Sequence, residues 1–177
     1  MRRLSVVAFL CYAIHATVHL RRGTPHDLLW ACNVAVLLVG FGLLLRNATL
    51  NAIGLLWSCF GMSLWFLDLA TGGEFMLTSV LTHFSSFALG IAGVRALGMP
   101  RYAAMKALGA FAVLWMVCRA VTPPAANVNL AFRVHPGWEA YFATYPLYIA
   151  SLLVTAAVVF MIAQRLLARV ARPEAAA

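Results

Sequence analysis

The sequence predicts an all-α, polytopic membrane protein with six transmembrane helices and both termini in the cytoplasm. Hydrophobic residues make up 64% of the 177 residues and charged residues only 10%. A soluble domain of this size cannot bury that much apolar surface. The apolar residues fall in six runs, each long enough for a membrane-spanning helix, which needs about 17–25 such residues.

Each predicted helix is an apolar run that ends at turn-forming residues. The first run follows Arg2 and Arg3 as in a signal peptide. It contains two histidines, has no clear cleavage site and leads directly into further runs, so we interpret it as a retained helix. The predicted spans are residues 4–20, 28–45, 50–70, 76–97, 103–121 and 145–167. They form one domain over residues 1–170, followed by a disordered tail at 171–177.

The orientation follows from the lysine and arginine residues in the short loops. A cytoplasmic N-terminus places nine of them inside: Arg2, Arg3, Arg46, Arg95, Arg101, Lys106, Arg165, Arg169 and Arg172. Only four are then outside: Arg21, Arg22, Arg119 and Arg133. The net charge of +8 therefore mainly reflects the orientation of the helices in the membrane. We expect that membrane to be the inner (cell) membrane. The charge does not indicate nucleic-acid binding, which needs a solvated basic face.

This topology gathers the rare polar residues near the outer leaflet. Ionisable residues inside a membrane are functional candidates by default. His15 and His19 end the first helix, Cys32 and Asn33 begin the second, and Asp68 ends the third. The fourth helix adds His83, and the end of the fifth and the following loop add Arg119, Asn127, Asn129, Arg133 and His135.

Cys32 and His83 are the strongest candidate pair for chemistry, because a neighbouring histidine activates a thiol as a nucleophile. Both residues are predicted to lie at similar depth. Two other interpretations of Cys32 stay open: an inert buried thiol, and a disulfide with Cys118 at the oxidising outer face.

The remaining candidates have alternatives of their own. His15 and His19 are four residues apart on one helix face, which suits a metal or haem site together with His83, or polar contacts between helices. Asp68 orients a histidine, binds an ammonium headgroup or reaches water. Arg119 and Arg133 hold a phosphate or carboxylate, or Arg119 only extends from a helix end. The long 122–144 loop, rich in Trp and Tyr, is a lid over a pocket or an aromatic belt.

Several short motifs resemble the YwaF-like bacterial integral membrane family. Leu28-Leu29-Trp30-Ala31-Cys32-Asn33 is similar to its Leu-x-x-Cys-Asn helix, and Thr82-His83-Phe84 to its Ser/Thr-His helix. The stretches 126–136 and 145–149 are similar to its Asn-Tyr loop and its Pro-Trp-Tyr start of the last helix, although Asn127-Val128-Asn129 and Pro146-Leu147-Tyr148 depart from those patterns. The family is related to a transmembrane phospholipid acyltransferase and, more distantly, to the androgen-induced-gene hydrolases.

The resemblance implies a six-helix fold with Cys32 as nucleophile and His83 as its base. We therefore expect a lipid-directed acyl-transfer enzyme, either an acyltransferase or an ester hydrolase, with membrane lipids as substrate and no metal or other cofactor. Asn33, Asn127 or Asn129 are expected to donate to the oxyanion, and Arg119 or Arg133 to hold a headgroup. The alternatives are a non-catalytic lipid-binding or transport protein, and a haem or metal protein that uses His15, His19 and His83.

Overall fold

The described part of the chain is an all-α bundle of six helices. The computed structural model describes residues 1–171, so all but the first residue of the predicted tail lies outside the described residues. The helices are α1 (Arg2–Arg21), α2 (Ala31–Leu44), α3 (Ala48–Ala70), α4 (Leu77–Leu97), α5 (Ala103–Val121) and α6 (Tyr145–Val170). Five of them, all except α2, are long and apolar enough to cross a membrane.

Helix α2 differs most from the prediction. The sequence predicts one continuous span over residues 28–45. In the structure a 3-10 turn, Pro25–Leu29, is followed by a separate helix of 14 residues. The break lies at Trp30, whose backbone is extended (φ −56°, ψ 136°). Pro25 starts the turn because its fixed φ suits the first residue of a helix. A 14-residue helix rises about 21 Å, which is short of a hydrocarbon core of about 30 Å.

Helix α3 is the centre of the bundle, because it contacts α2, α4, α5 and α6. Residues 51–58 are buried on every face, as expected for a helix surrounded by others. Helices α1, α2 and α4 pack together on one side of α3, while α5 and α6 pack on the other. Helices α2 and α4 also contact each other, which the sequence could not establish and which the proposed pairing of Cys32 with His83 requires.

Close packing of α2 on α3 depends on glycine. A Cβ atom on Gly54 would lie 2.6 Å from the carbonyl oxygen of Ala35, and one on Gly42 would lie 2.5 Å from the backbone nitrogen of Asn51. Small residues let helices approach this closely in membranes. Gly42 and Gly54 therefore allow α2 and α3 to pack closely.

Polar contacts join α3 to its neighbours inside the bundle. Asn51 Nδ2 donates to the Gly90 carbonyl at 2.9 Å, and Ser58 Oγ lies 2.8 Å from Ser86 Oγ, which links α3 to α4. Trp57 Nε1 donates to the Ala107 carbonyl of α5 at 2.9 Å. Buried polar groups need such partners, since lipid offers none.

We predict that Gly54→Ala lowers the free energy of unfolding by about 1–3 kcal/mol, because the added methyl forces α2 and α3 apart. Gly109→Ala is the matched control, since a Cβ there meets nothing within 4 Å, and its effect is expected to stay below about 1 kcal/mol. Unfolding midpoints in mixed micelles compare the two variants. Equal midpoints would contradict the proposed close contact of α2 with α3.

Candidate functional site

The candidate site lies at the end of the bundle that carries the 122–144 segment, which we call the cap segment. The Pro25–Leu29 turn and the 71–76 turn meet at the same end, hereafter the cap end. Arg22, after α1, donates to Glu74 Oε1, before α4, at 2.7 Å. The two turns are thereby joined across the mouth of the bundle.

The cap segment is folded into the bundle and does not lie on its surface. It contains three 3-10 turns, Pro124–Ala126, Val128–Leu130 and Glu139–Tyr141. Residues 127–131 are buried. Asn127, Asn129 and Leu130 all have positive φ, and asparagine tolerates this conformation better than most residues. Of the two predictions for this segment, the structure favours a cap over a pocket.

Asn129 attaches the cap segment to the start of α2. Its Oδ1 accepts a hydrogen bond from the Ala31 backbone N–H at 2.8 Å, and its Nδ2 donates to the Leu29 carbonyl at 2.7 Å. The residue before α2, Trp30, provides no side-chain cap. Asn129 therefore satisfies an N-terminal N–H of α2 from 98 residues away in the chain.

Three further contacts hold the cap segment. Arg119 Nη1 donates to the Ala131 carbonyl, Tyr145 Oη donates to the Leu130 carbonyl at 2.9 Å, and His135 Nε2 lies 3.3 Å from Asp68 Oδ1. Helices α5, α6 and α3 each contribute one of these contacts. The segment therefore closes the space between all three helices.

A cavity of about 410 Å³ lies beneath the cap segment. Its buried lining combines apolar and aromatic side chains with buried polar ones such as His15, Asn33 and His83, and its exposed part carries charge. The buried lining includes Trp57, Phe60, Phe111, Leu152 and Phe160, whereas the outer lining includes Asp27, Asp68, Glu74, Arg133 and His135. A cavity with an apolar interior and a few polar groups is the usual form of a small-molecule site.

Cys32 and His83 both line this cavity and both lie against α3. A Cβ atom on Gly61 would be 3.5 Å from Cys32 Cβ, and the His83 ring stacks on Trp65 with centroids 4.6 Å apart. Gly61 and Trp65 are four residues apart on α3, so they share a face about 6 Å apart along the axis. Cys32 of α2 and His83 of α4 therefore lie against successive turns of one face of α3.

No hydrogen bond joins Cys32 to His83 in the described chain. His83 Nδ1 donates to the Ser79 carbonyl at 2.8 Å, and its buried Nε2 has no protein partner. Nδ1 carries the proton in this arrangement, so Nε2 is a free acceptor. Cys32 Sγ lies 4.0 Å from Asn33 Oδ1.

The three asparagines predicted to donate to an oxyanion already make protein contacts. Asn129 Nδ2 uses both hydrogens, on the Leu29 carbonyl and on Cys118 Sγ at 3.2 Å. Asn127 caps the turn that follows it, with Oδ1 accepting from Phe132 and Arg133 and Nδ2 donating to the Arg133 carbonyl. Asn33 Nδ2 donates to the Asp27 carbonyl at 2.9 Å. Asn33 and Asn127 each retain one amide hydrogen, so their predicted role stays a prediction, while Asn129 is structural.

The charged candidates separate into two groups. Asp68 and Arg133 line the cavity, where Asp68 contacts His135 and Arg133 Nη2 donates to the Ala125 carbonyl at 2.9 Å. Arg119 is not part of the lining. Its guanidinium lies over the rings of Trp115 and Phe132, at 5.2 and 5.3 Å. Its placement therefore does not support the predicted headgroup contact.

The disulfide considered between Cys32 and Cys118 is absent, and both are free thiols. Cys118 is buried against the cap segment, with its sulfur 3.9 Å from the Leu29 carbonyl, whereas Cys32 lies against Gly61. The Asn129 side chain occupies the position next to Cys118.

His15 and His19 form a hydrogen-bonded chain between three elements. Their Nε2 atoms are 3.1 Å apart, His15 Nδ1 is 2.9 Å from Thr78 Oγ1, and His19 Nδ1 is 2.9 Å from Thr24 Oγ1 and 3.5 Å from Asp27 Oδ2. Within residues 1–171, no group of three or more His, Cys, Asp or Glu residues is arranged to hold a metal ion. The geometry matches the interpretation of this pair as a polar contact between helices.

The sequence reasoning missed two residues of the cavity wall as site residues. Trp65 supports the His83 ring, and Tyr148 has a buried hydroxyl without a partner among residues 1–171. Trp65 precedes Asp68 by three residues and so points in a similar direction. Tyr148 is one of several aromatic residues near the start of α6, and the pattern does not distinguish a belt residue from a cavity residue.

Comparison of the chain with protein-family models found no match. Searches of curated proteins and of solved structures also found no match.

We predict that Asn129→Ala lowers the free energy of unfolding by about 1–3 kcal/mol, because it removes a helix cap and leaves buried backbone groups without partners. Asn129→Asp retains the Oδ1 acceptor for Ala31 and loses the two donor contacts. Compared with Asn129→Ala, it is expected to recover part of the N-terminal cap of α2 and of the stability, while the cap segment stays more accessible to protease than in the wild type. Thermal unfolding and limited proteolysis at residues 122–144 measure the two effects. Wild-type protease resistance in Asn129→Ala would refute the attachment.

Proposed function

We propose that this chain crosses the inner membrane six times, with both termini in the cytoplasm and the cap end outside. All four described acidic residues, Asp27, Asp68, Glu74 and Glu139, belong to the cap end. The opposite end carries eight described basic residues and no acid, against four basic residues at the cap end. This asymmetry supports a cytoplasmic basic end. Helix α2 is short alone, but residues 25–44 together supply the roughly 20 residues of a span.

The function that the geometry supports best is acyl chemistry on a membrane lipid, by acyl transfer or ester hydrolysis. The carrying observation is that Cys32 and His83, with its free Nε2 acceptor, line one cavity against successive turns of α3. The apolar interior suits an acyl chain, and the charged mouth suits a polar headgroup. The similarity of the short motifs to the YwaF-like family is part of the same proposal.

The reaction proceeds through a thioester. Cys32 Sγ bonds to the acyl carbonyl carbon while its proton passes to His83 Nε2. The carbon–oxygen bond to the lipid alcohol then breaks, and His83 returns the proton to the leaving oxygen. Water or a second alcohol attacks the thioester, releases the acyl product and restores the thiol. The thiol and Nε2 are not in contact without substrate, and catalytic hydrogen bonds often tighten only in the substrate complex.

Lipid binding without catalysis is the second candidate, favoured by the missing Cys32–His83 hydrogen bond. Under this alternative the same cavity holds an amphiphile, and Cys32 is an inert part of its wall. The two candidates differ in what they predict for a Cys32 variant that still binds lipid. Catalysis predicts that the variant loses ester turnover, whereas binding alone predicts no turnover in the wild type either.

We predict that Cys32→Ala abolishes hydrolysis of 4-nitrophenyl octanoate by the purified protein, since the nucleophile is lost. Cys59→Ala is the matched control, because this α3 thiol does not line the cavity, and its rate is expected to equal that of the wild type. Mass spectrometry of the wild type should find an octanoyl group on Cys32. Quenching of tryptophan fluorescence by a brominated lysophosphatidylcholine reports binding in each variant. If the wild type and both variants show equal quenching and none hydrolyses the ester, the result would contradict catalysis and support lipid binding alone.

We predict that a thiol at the cap end is labelled from outside intact cells and a thiol at the basic end is not. Ala140→Cys and Arg101→Cys introduce exposed positions at the two ends, and the wild type reports labelling of the four native cysteines. A membrane-impermeant maleimide is expected to react with the first variant only. Reaction at Arg101→Cys alone would reverse the proposed orientation.

A further inference from the structure

Two buried polar atoms in the cavity wall have no hydrogen-bond partner in the described chain: His83 Nε2 and Tyr148 Oη. The side chains are 3% and 1% exposed. His83 belongs to α4 and Tyr148 to α6, and the two helices contact each other. Two residues of the cavity wall, from neighbouring helices, therefore each carry an unsatisfied buried atom, and the proposed reaction does not use that of Tyr148.

An unpaired buried hydroxyl is costly, because its hydrogen bonds to water are lost without replacement, at about 1–3 kcal/mol. Tyr145, three residues earlier on α6, avoids this cost by donating to the Leu130 carbonyl at 2.9 Å. A phenylalanine at 148 would fill the same space without an unpaired group. Asn51 Oδ1 and Trp115 Nε1 are also unpaired, but Tyr148 differs from both in lining the cavity.

The two unpaired atoms are complementary in their hydrogen-bonding character. His83 Nε2 is an acceptor, because Nδ1 donates to the Ser79 carbonyl. Tyr148 Oη is free to donate its hydrogen. A ligand that satisfies both supplies one donor and one acceptor, as does a carbonyl group attacked by a thiol: the thiol proton goes to His83 and the carbonyl oxygen accepts from Tyr148.

The Tyr148 ring is held in place for this role. Trp138 of the cap segment packs edge-on against it with centroids 6.2 Å apart, and Phe142 does so at 4.9 Å. A donor that is fixed before the reaction stabilises developing charge without reorganisation. Asn129, one of the predicted oxyanion donors, has no hydrogen left to contribute.

We infer that Tyr148 is a catalytic residue that donates a hydrogen bond to the acyl carbonyl oxygen of a lipid ester. The inference rests on the proposed acyl chemistry and adds a residue to it. As the Cys32 Sγ–carbon bond forms, the carbonyl π pair moves onto oxygen, and the Tyr148 O–H donates to that oxygen without transferring its proton. The C=O bond then re-forms, the ester carbon–oxygen bond breaks, and the alcohol takes the proton from His83.

Tyr148→Phe is expected to lower kcat for 4-nitrophenyl octanoate by about 100-fold or more, with little change in KM, since the bond strengthens as charge develops on oxygen. Its thermal midpoint should equal or exceed that of the wild type, because the removed hydroxyl has no protein partner. Tyr141→Phe is the matched control. The Tyr141 side chain is 79% exposed and does not line the cavity, so its midpoint and kcat should both stay near wild type.

The outcomes separate this inference from the proposed function. Wild-type kcat in Tyr148→Phe, with Cys32→Ala inactive, would overturn the role of Tyr148 and leave the acyl chemistry standing. A fall in kcat that is accompanied by a clear fall in the thermal midpoint would assign Tyr148 a structural role and also overturn the inference. A wild-type protein with no turnover and no acylated Cys32 would overturn both proposals.

Discussion

The amide of Asn129 is the interaction on which the arrangement of the candidate site depends. It joins the cap segment, the start of α2 and the buried thiol of Cys118. Because Asn129 supplies the N-terminal cap that Trp30 does not, the contact determines that α2 begins at Ala31, and this places Cys32 in the first turn of the helix. The same contact draws residues 127–131 into the bundle, where they roof the cavity. The Asn129 side chain thus positions Cys32, the candidate nucleophile, and also holds the cap segment over the cavity that Cys32 lines.

The central position of α3 explains why one cavity contains residues from so many elements. Its inner half is surrounded by protein and packed through small residues and paired polar groups, such as Ser58 with Ser86. Nearer the cap end, the large side chains of Phe60, Leu64 and Trp65 line the cavity. The result is an apolar chamber with charged groups only at its mouth. An amphiphile matches this gradient, since its chain and its headgroup have opposite preferences for water.

Pairing of polar groups distinguishes structural residues from candidate functional residues in this bundle. Membrane interiors provide no water to compensate an unpaired group, so nearly every buried polar atom is expected to find a partner in the protein. His15, His19 and Asn129 do so as links between elements, and Asn127 does so within the cap segment. Four buried side-chain atoms of the described residues do not: Asn51 Oδ1 and Trp115 Nε1 belong to residues away from the cavity, whereas His83 and Tyr148, with unpaired Nε2 and Oη, line it. Together with Cys32 they form the basis of the proposed chemistry.

The sequence alone determined the helical class and most helix boundaries, because long apolar runs and the turns between them are local properties. The observed ends of α3, α4 and α5 lie within two residues of those predicted. Only the tertiary structure decided the break before α2, the burial of the cap segment, and which of the candidate residues face the cavity. Those features depend on contacts between residues far apart in the chain, such as Asn129 with Ala31 and His135 with Asp68. Such contacts leave no periodic signal in a single sequence, so a structural asparagine, a stacked arginine and an unpaired tyrosine look alike until the helices are packed.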